Sequence, residues 1–156
     1  MKTELILVGR TADPHFQAGI SDYAGRILHY MPFNITVIPE LKNTKNLSEE
    51  QQKTAEGELI LKQVQPSDTL VLLDEHGREF RSVEFARWLT QKQNTARRLV
   101  FAIGGPYGFS EAVYLRANEK ISLSKMTFSH QMVRLIFAEQ LYRACTIIRG
   151  EPYHHE

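Results

Sequence analysis

The stretch that most constrains this 156-residue chain is Leu99-Val100-Phe101-Ala102-Ile103-Gly104-Gly105-Pro106-Tyr107-Gly108. Five consecutive apolar residues stopped by Gly-Gly-Pro describe a buried strand feeding a turn. A strand without polar alternation needs cover on both faces, the condition met in a parallel sheet between helix layers. A second stretch, Ile121 to Gln131, has a related form: a short strand, a polar loop and then a long helical pattern. Two neighbouring loops at strand ends are where an open parallel sheet places a ligand.

The upstream sequence reads as scaffold for these two loops. Glu4 to Gly9 is a first buried strand, and Phe16, Ile20, Tyr23 and Ile27 mark one face of a helix over 14–30 that Pro32 ends. Phe33, Ile35 and Val37 alternate with polar residues, as in a half-buried strand, and a polar loop spans Leu41 to Leu47. Ser48 with Gln51 forms a capping box that opens a helix to about Gln63, before Pro66. Thr69 to Asp74 is a third strand, Glu75 to Arg81 a turn, and Ser82 caps a helix carrying Phe85, Trp88 and Leu89. After the Gly104–Gly108 turn, Ser110 caps a short helix to Arg116, Lys120 to Leu123 is the last strand, and 129–148 is a long helix. Strands alternating with helices predict one α/β domain over 1–156, a mostly parallel sheet with helices on both faces.

Composition narrows the function classes. A single cysteine, Cys145, excludes a disulfide framework and reads as a small core residue on a helix. No signal-peptide pattern and no membrane-length apolar run is visible, so the expectation is a soluble, cytoplasmic protein. The net charge of +1 does not mark a nucleic-acid binder, but its distribution is uneven. Between Arg97 and Arg149 eight basic residues face three acidic ones, an excess of five that suits a polyanionic partner at one end of the molecule. Solvated helix faces would give the same count.

Several chemistries fail on spacing. A dinucleotide fingerprint needs G-x-G-x-x-G after the first strand, which here ends in the lone Gly9. No P-loop is present. Gly108-Phe109-Ser110-Glu111-Ala112 lacks the final glycine of a nucleophile elbow, and no Asp follows Asp74 to serve a triad. The adjacent His154 and His155 have no third ligand at useful spacing, so no metal is expected. What remains is a pocket of few ionisable groups and much backbone. Gly104 and Gly105 admit a ligand close to main-chain amides, while Met126 and Phe128 offer apolar walls. That suits a flat, mostly neutral heterocycle such as adenosine better than a triphosphate. The same residues also describe an ordinary glycine turn beside an ordinary strand end.

Phe101 to Gly108, Leu123 to His130, Leu141-Tyr142-Arg143-Ala144 and Pro152-Tyr153-His154 together resemble the ribosomal RNA large subunit methyltransferase H family of the SPOUT class. The resemblance covers the whole chain and rests on the combined spacing. It implies a trefoil knot in the C-terminal part of the sheet, a homodimer and S-adenosyl-L-methionine as cofactor. The implied reaction is N3 methylation of a pseudouridine in 23S rRNA within an assembled ribosomal particle. By motif the cofactor contacts fall on Leu73, Gly104, Leu123, Ser124, Lys125, Met126, Thr127 and Phe128. Ser129 stands where the family commonly has proline. Catalytic candidates are His130 and Arg143 near the knot, with Tyr153 and His154 on the tail. The residue types of the tail fit a frayed end as well as a functional one, and the resemblance at Pro152-Tyr153-His154 implies chemistry or substrate docking more than folding. A non-catalytic RNA-binding protein of the same fold is the rival reading, disfavoured by the intact cofactor loops.

Overall fold

The computed structural model describes residues 1–155. Five strands, β1 (Lys2–Val8), β2 (Phe33–Ile38), β3 (Thr69–Glu79), β4 (Arg98–Ile103) and β5 (Glu119–Ser122), form one sheet in the order β2-β1-β4-β3-β5. All four pairings are parallel, as the apolar runs predict. Central β4 explains why Leu99 to Ile103 carries no polar residue. Leu99, Phe101 and Ile103 pack to one face, while Val100 and Ala102 pack to the other.

The helices are α1 (Pro14–Ile27), α2 (Glu49–Lys62), α3 (Ser82–Thr95), α4 (Glu111–Arg116) and α5 (Met132–Ile148). Residues of α1, α3 and α5 share a core with β1, β3 and β4 through Ile27, Phe85, Trp88, Phe137 and Leu141. On the opposite face Ile60 of α2 and Val113 of α4 join Ile6, Leu72 and Val100. Cys145 lies buried in α5, where the loss of water pushes its thiol pKa up to about 12 and leaves it a packing residue.

Helix starts follow local chemistry. The Ser48 hydroxyl accepts from the Gln51 N–H at 3.0 Å while Gln51 accepts from the Ser48 N–H at 2.9 Å, the reciprocal box expected. Ser110 caps α4. Four expectations need correction. Arg81, not Ser82, precedes α3, with Glu84 accepting from its N–H at 2.8 Å; the Ser82 hydroxyl instead reaches Gln140 on α5. The first helix stops at Ile27 and continues as turns to Met31. Val37 is exposed because β2 lies at the sheet edge.

The fourth correction matters for the site. Glu75 to Arg81 is not a simple turn, because β3 extends to Glu79. Leu73 and Arg78 both pair with Ile121, so Asp74 to Gly77 is an excursion after which pairing with β5 resumes. Gly77 permits this: a Cβ there would stand 2.6 Å from the Ile121 backbone.

Arg134 joins the end of β1 to the start of α5. Its side chain is fully buried and donates to the Val8 and Gly9 carbonyls at 2.7 and 2.9 Å, to the Thr11 hydroxyl at 2.9 Å and to the His130 carbonyl at 3.2 Å. Burial lowers its pKa, opposed by the charge of Glu40. The guanidinium's planar set of donors matches several acceptors at once, which an ammonium does not.

Candidate active site

The ends of β3, β4 and β5 open into a cleft of about 610 Å³, within the range of small-molecule sites. Leu73 and Asp74 come from β3, Ile103 to Phe109 from β4 and its turn, and Ser122 to Ser124 and Met126 to His130 from the loop after β5. Tyr114 of α4 and Val133 of α5 complete the wall. Of the eight expected cofactor contacts seven line this cleft; exposed Lys125 does not.

Much of the wall is main chain. Gly108 donates to the Gly105 carbonyl at 3.1 Å, closing the turn, and Gly108 sits at φ 82°, where an L side chain is strained. A Cβ on Gly104 would press on the Gly108 backbone at 3.3 Å. The facing loop holds itself with small hydroxyls. Ser122 donates to the Ser124 carbonyl at 2.9 Å, and the Ser124 hydroxyl accepts from the Met126 N–H at 2.9 Å. Ser129 accepts from the Met132 N–H at 3.0 Å, so it caps the approach to α5, which starts three residues later than the pattern predicts.

Charge enters the cleft at one rim, through Asp74, Glu75 and His76. Tyr114 donates its hydroxyl to Asp74; burial first, and then that bond, push the phenol pKa upward. Asp74 was the strand-end residue most open to discovery from sequence, since it directly follows the apolar run of β3. Tyr114 carried no such signal, its approach depending on where α4 lands.

The four catalytic candidates do not meet in one place. Exposed His130 lines the cleft. Arg143, Tyr153 and His154 do not line it, and gather instead along α5. Arg143 is therefore not beside the cleft, because it lies three turns of helix beyond His130. Its guanidinium donates to Glu139 at 3.0 and 2.5 Å, contacts His154 Nδ1 at 3.1 Å and lies 4.8 Å from the Tyr153 ring centre. The Tyr153 hydroxyl donates to Glu139 at 3.1 Å, and its ring meets Tyr142 edge-on at 4.7 Å. Burial is the main reason its pKa is raised, followed by hydrogen bonding to Tyr23 and the negative charge of Glu139. Gly150, at φ 70°, turns the chain back, and Tyr30 holds Glu151 at 2.6 Å. That bond first, then burial, pushes the Tyr30 pKa up to about 12. The tail is thus a docked segment.

Half of the basic residues of the last third are engaged within the fold, while Arg97, Lys120, Lys125 and Arg149 stay exposed. Arg98 pairs with Asp68 at 2.8 Å, Arg116 donates to the Gln65 and Asp68 carbonyls, Arg134 is buried, and Arg143 is bound to Glu139. Among the described residues no group of three His, Cys, Asp or Glu side chains is placed to hold a metal, and no helix is long and apolar enough to cross a membrane.

Fold and cleft together define an open parallel α/β protein whose ligand site is built mainly from backbone at the carboxyl ends of neighbouring strands. Comparison with known proteins makes the class specific. The family described as "Predicted SPOUT methyltransferase" matches residues 1–154. The ribosomal RNA large subunit methyltransferase H of Bacteroides fragilis is 65% identical over 157 aligned positions, covering 100% of both chains. Proteins of the same name from Phocaeicola vulgatus and Flavobacterium johnsoniae are 64% and 55% identical, again over the full length of both chains. The chain belongs to the SPOUT methyltransferase family, and that membership implies the C-terminal trefoil knot.

Proposed function

We propose that this chain is a single-domain, S-adenosylmethionine-dependent methyltransferase acting on N3 of a pseudouridine in 23S rRNA. The observation that carries this reading is the cleft of family-motif residues, from Leu73, Gly104 and the Leu123–Phe128 loop, at the ends of three strands. Full-length relatives named for rRNA large subunit methylation support the substrate class.

The cleft fits the cofactor in kind. Leu73, Ile103, Phe128 and Val133 offer apolar surface for an adenine, the turn and loop backbones offer donors and acceptors, and Asp74 with Glu75 offers acceptors for hydroxyl or ammonium groups. When bound, S-adenosylmethionine supplies a methyl group already activated on a sulfonium. The protein's remaining work is alignment, exclusion of water and removal of the N3 proton. Gly104 and Gly105 hold the turn against the ligand, and Ser124 and Ser129 fix the facing loop. His130 stands at the mouth as a contact to RNA or the reacting base.

Arg143, Tyr153 and His154 lie outside the cleft of their own chain. A homodimer accounts for that separation, with the tail of one protomer serving the cleft of its partner. There Tyr153 stacks on a base, Arg143 contacts a phosphate and His154 faces the target. We place the reaction in the cytoplasm on an assembled particle, since the four exposed cations of the last third, Arg97, Lys120, Lys125 and Arg149, are few to grip naked RNA. Mass mapping of 23S rRNA from a deletion strain tests the whole reading: one methyl group is lost from one pseudouridine and returns with the wild-type gene. An unchanged rRNA mass map would refute it. Purified protein should methylate assembled particles and leave a short stem-loop nearly untouched; equal rates on both would remove the particle from the account.

A further inference from the structure

Glu56 on α2 is a buried carboxyl that the mechanism above does not use. The residue is 5% exposed, Oε1 has no hydrogen-bond partner, and Oε2 receives only a 3.3 Å bond from Gln52. No ion pair joins it among the described residues. It lies directly behind the glycine turn. A Cβ built on Gly105 would stand 2.9 and 3.2 Å from its two oxygens, and the other side of Gly105 lines the cleft. Next to it Gly57 lets α2 close on Ser110 and Val113, since a Cβ there would stand 2.3 Å from the Ser110 hydroxyl. The groups in contact with the Glu56 carboxyl, Gln52 and the Gly105 backbone, carry no charge.

A buried carboxylate with one oxygen unmatched costs stability, a cost offset by uptake of a proton or by a charge or donor arriving nearby. The cleft is where one can arrive, one backbone layer away. We propose that Glu56 is a specificity-determining residue whose ionised carboxyl, acting across Gly105, favours a cationic sulfonium donor over its neutral thioether product. This rests on the cofactor reading above. The two ligands share adenosine, amine and carboxylate and differ at sulfur by a methyl and a positive charge, so the difference in their binding isolates that charge. Because the intervening medium is protein, the attraction is weakly screened. Burial raises the Glu56 pKa, with Gln52 opposing, so the charge on which the preference depends develops above the ordinary carboxylate range.

The test is calorimetric titration of wild type and Glu56→Gln with S-adenosylmethionine and S-adenosylhomocysteine between about pH 5 and 8. In the wild type the ratio of donor to product affinity should rise with pH to a plateau. In Glu56→Gln it should be flat and lower by about tenfold at the plateau, with product affinity nearly unchanged. Asp74, Glu75 and His76 at the rim remain in both proteins, so their effect on the two ligands cancels in the comparison. Removing the buried charge should raise the melting temperature at neutral pH, which certifies the variant as folded. Should Glu56→Gln fail to fold, Glu56→Met, which also removes the charge, is titrated in its place and judged by the same flat or unaltered ratio. An unaltered ratio in Glu56→Gln would overturn the charge assignment while the cofactor reading stands. Failure of both ligands to bind the wild type would overturn the cofactor reading and this inference with it.

Discussion

The cleft and the tail clasp are built in opposite ways. Backbone, glycine and small hydroxyls make much of the cleft wall, and the sheet beneath it fixes its shape. The clasp is made of side chains: Glu139 and Arg143 on α5 grip Tyr153 and His154, with Tyr142 packed beneath. Backbone walls change little when surface residues change, whereas a clasp of two charges and aromatic rings can open with a few bonds broken. On the proposed function, ligand holding falls to structure bound into the core, and chemistry to a segment that can be presented elsewhere.

Breaking the two regions separately should give different losses. Truncation after Gly150 should reduce methyl transfer by about a thousandfold while leaving cofactor affinity largely intact, measured as turnover on ribosomal particles beside calorimetry. The contacts of Tyr30 and Glu139 with the tail add a modest fall in melting temperature. Full turnover in the truncated enzyme would make the clasp purely structural. Gly104→Val should give the converse, a drop of about a hundredfold in cofactor affinity with the fold retained, since the new side chain meets the Gly108 backbone. Equal titrations for variant and wild type would remove Gly104 from the wall.

Smaller effects sharpen the contrast. Arg134→Met should cost about 3 kcal/mol of stability in denaturant melts, because it leaves the Val8 and Gly9 carbonyls without buried donors, and Arg134→Lys should not restore it. Glu139 and Arg143 remain in these variants, so tail docking should persist in whatever fraction is folded. Tyr153→Phe should have the smallest effect, about 1 kcal/mol of tail docking, because it deletes only the hydroxyl's bonds to Glu139 and Tyr23 and keeps the ring on Tyr142. Protease sensitivity of the tail reads that loss. The difference between this variant and wild type should hold constant through neutral pH and close only at strongly alkaline pH. The raised phenol pKa means the hydroxyl's contribution is complete below the ordinary tyrosine range and lost above it.

Local chemistry made much of the fold legible. The capping box at Ser48 and Gln51, the cap at Ser110 and the two-faced burial of Leu99 to Ile103 all depend on neighbours within a few residues or on runs without polar interruption. The cleft loops were legible for the same reason: strand ends and glycine turns announce themselves locally. Nothing local announced Glu56, which sits in a charged helical stretch and reads as exposed until Gly57 lets α2 close on Ser110.

The sequence by itself determined the parallel α/β class, the strand-end loops and, through the family's motifs, seven of the residues that line the cleft. Tertiary structure alone decided that β3 resumes beside β5 after Asp74–Gly77, and that Arg134 is buried among carbonyls. It alone decided that Arg143 and the tail lie apart from His130. Period and propensity report which face of an element is covered. They carry no information on which distant element covers it, and charge counts along the chain do not reveal which charges the fold has already paired.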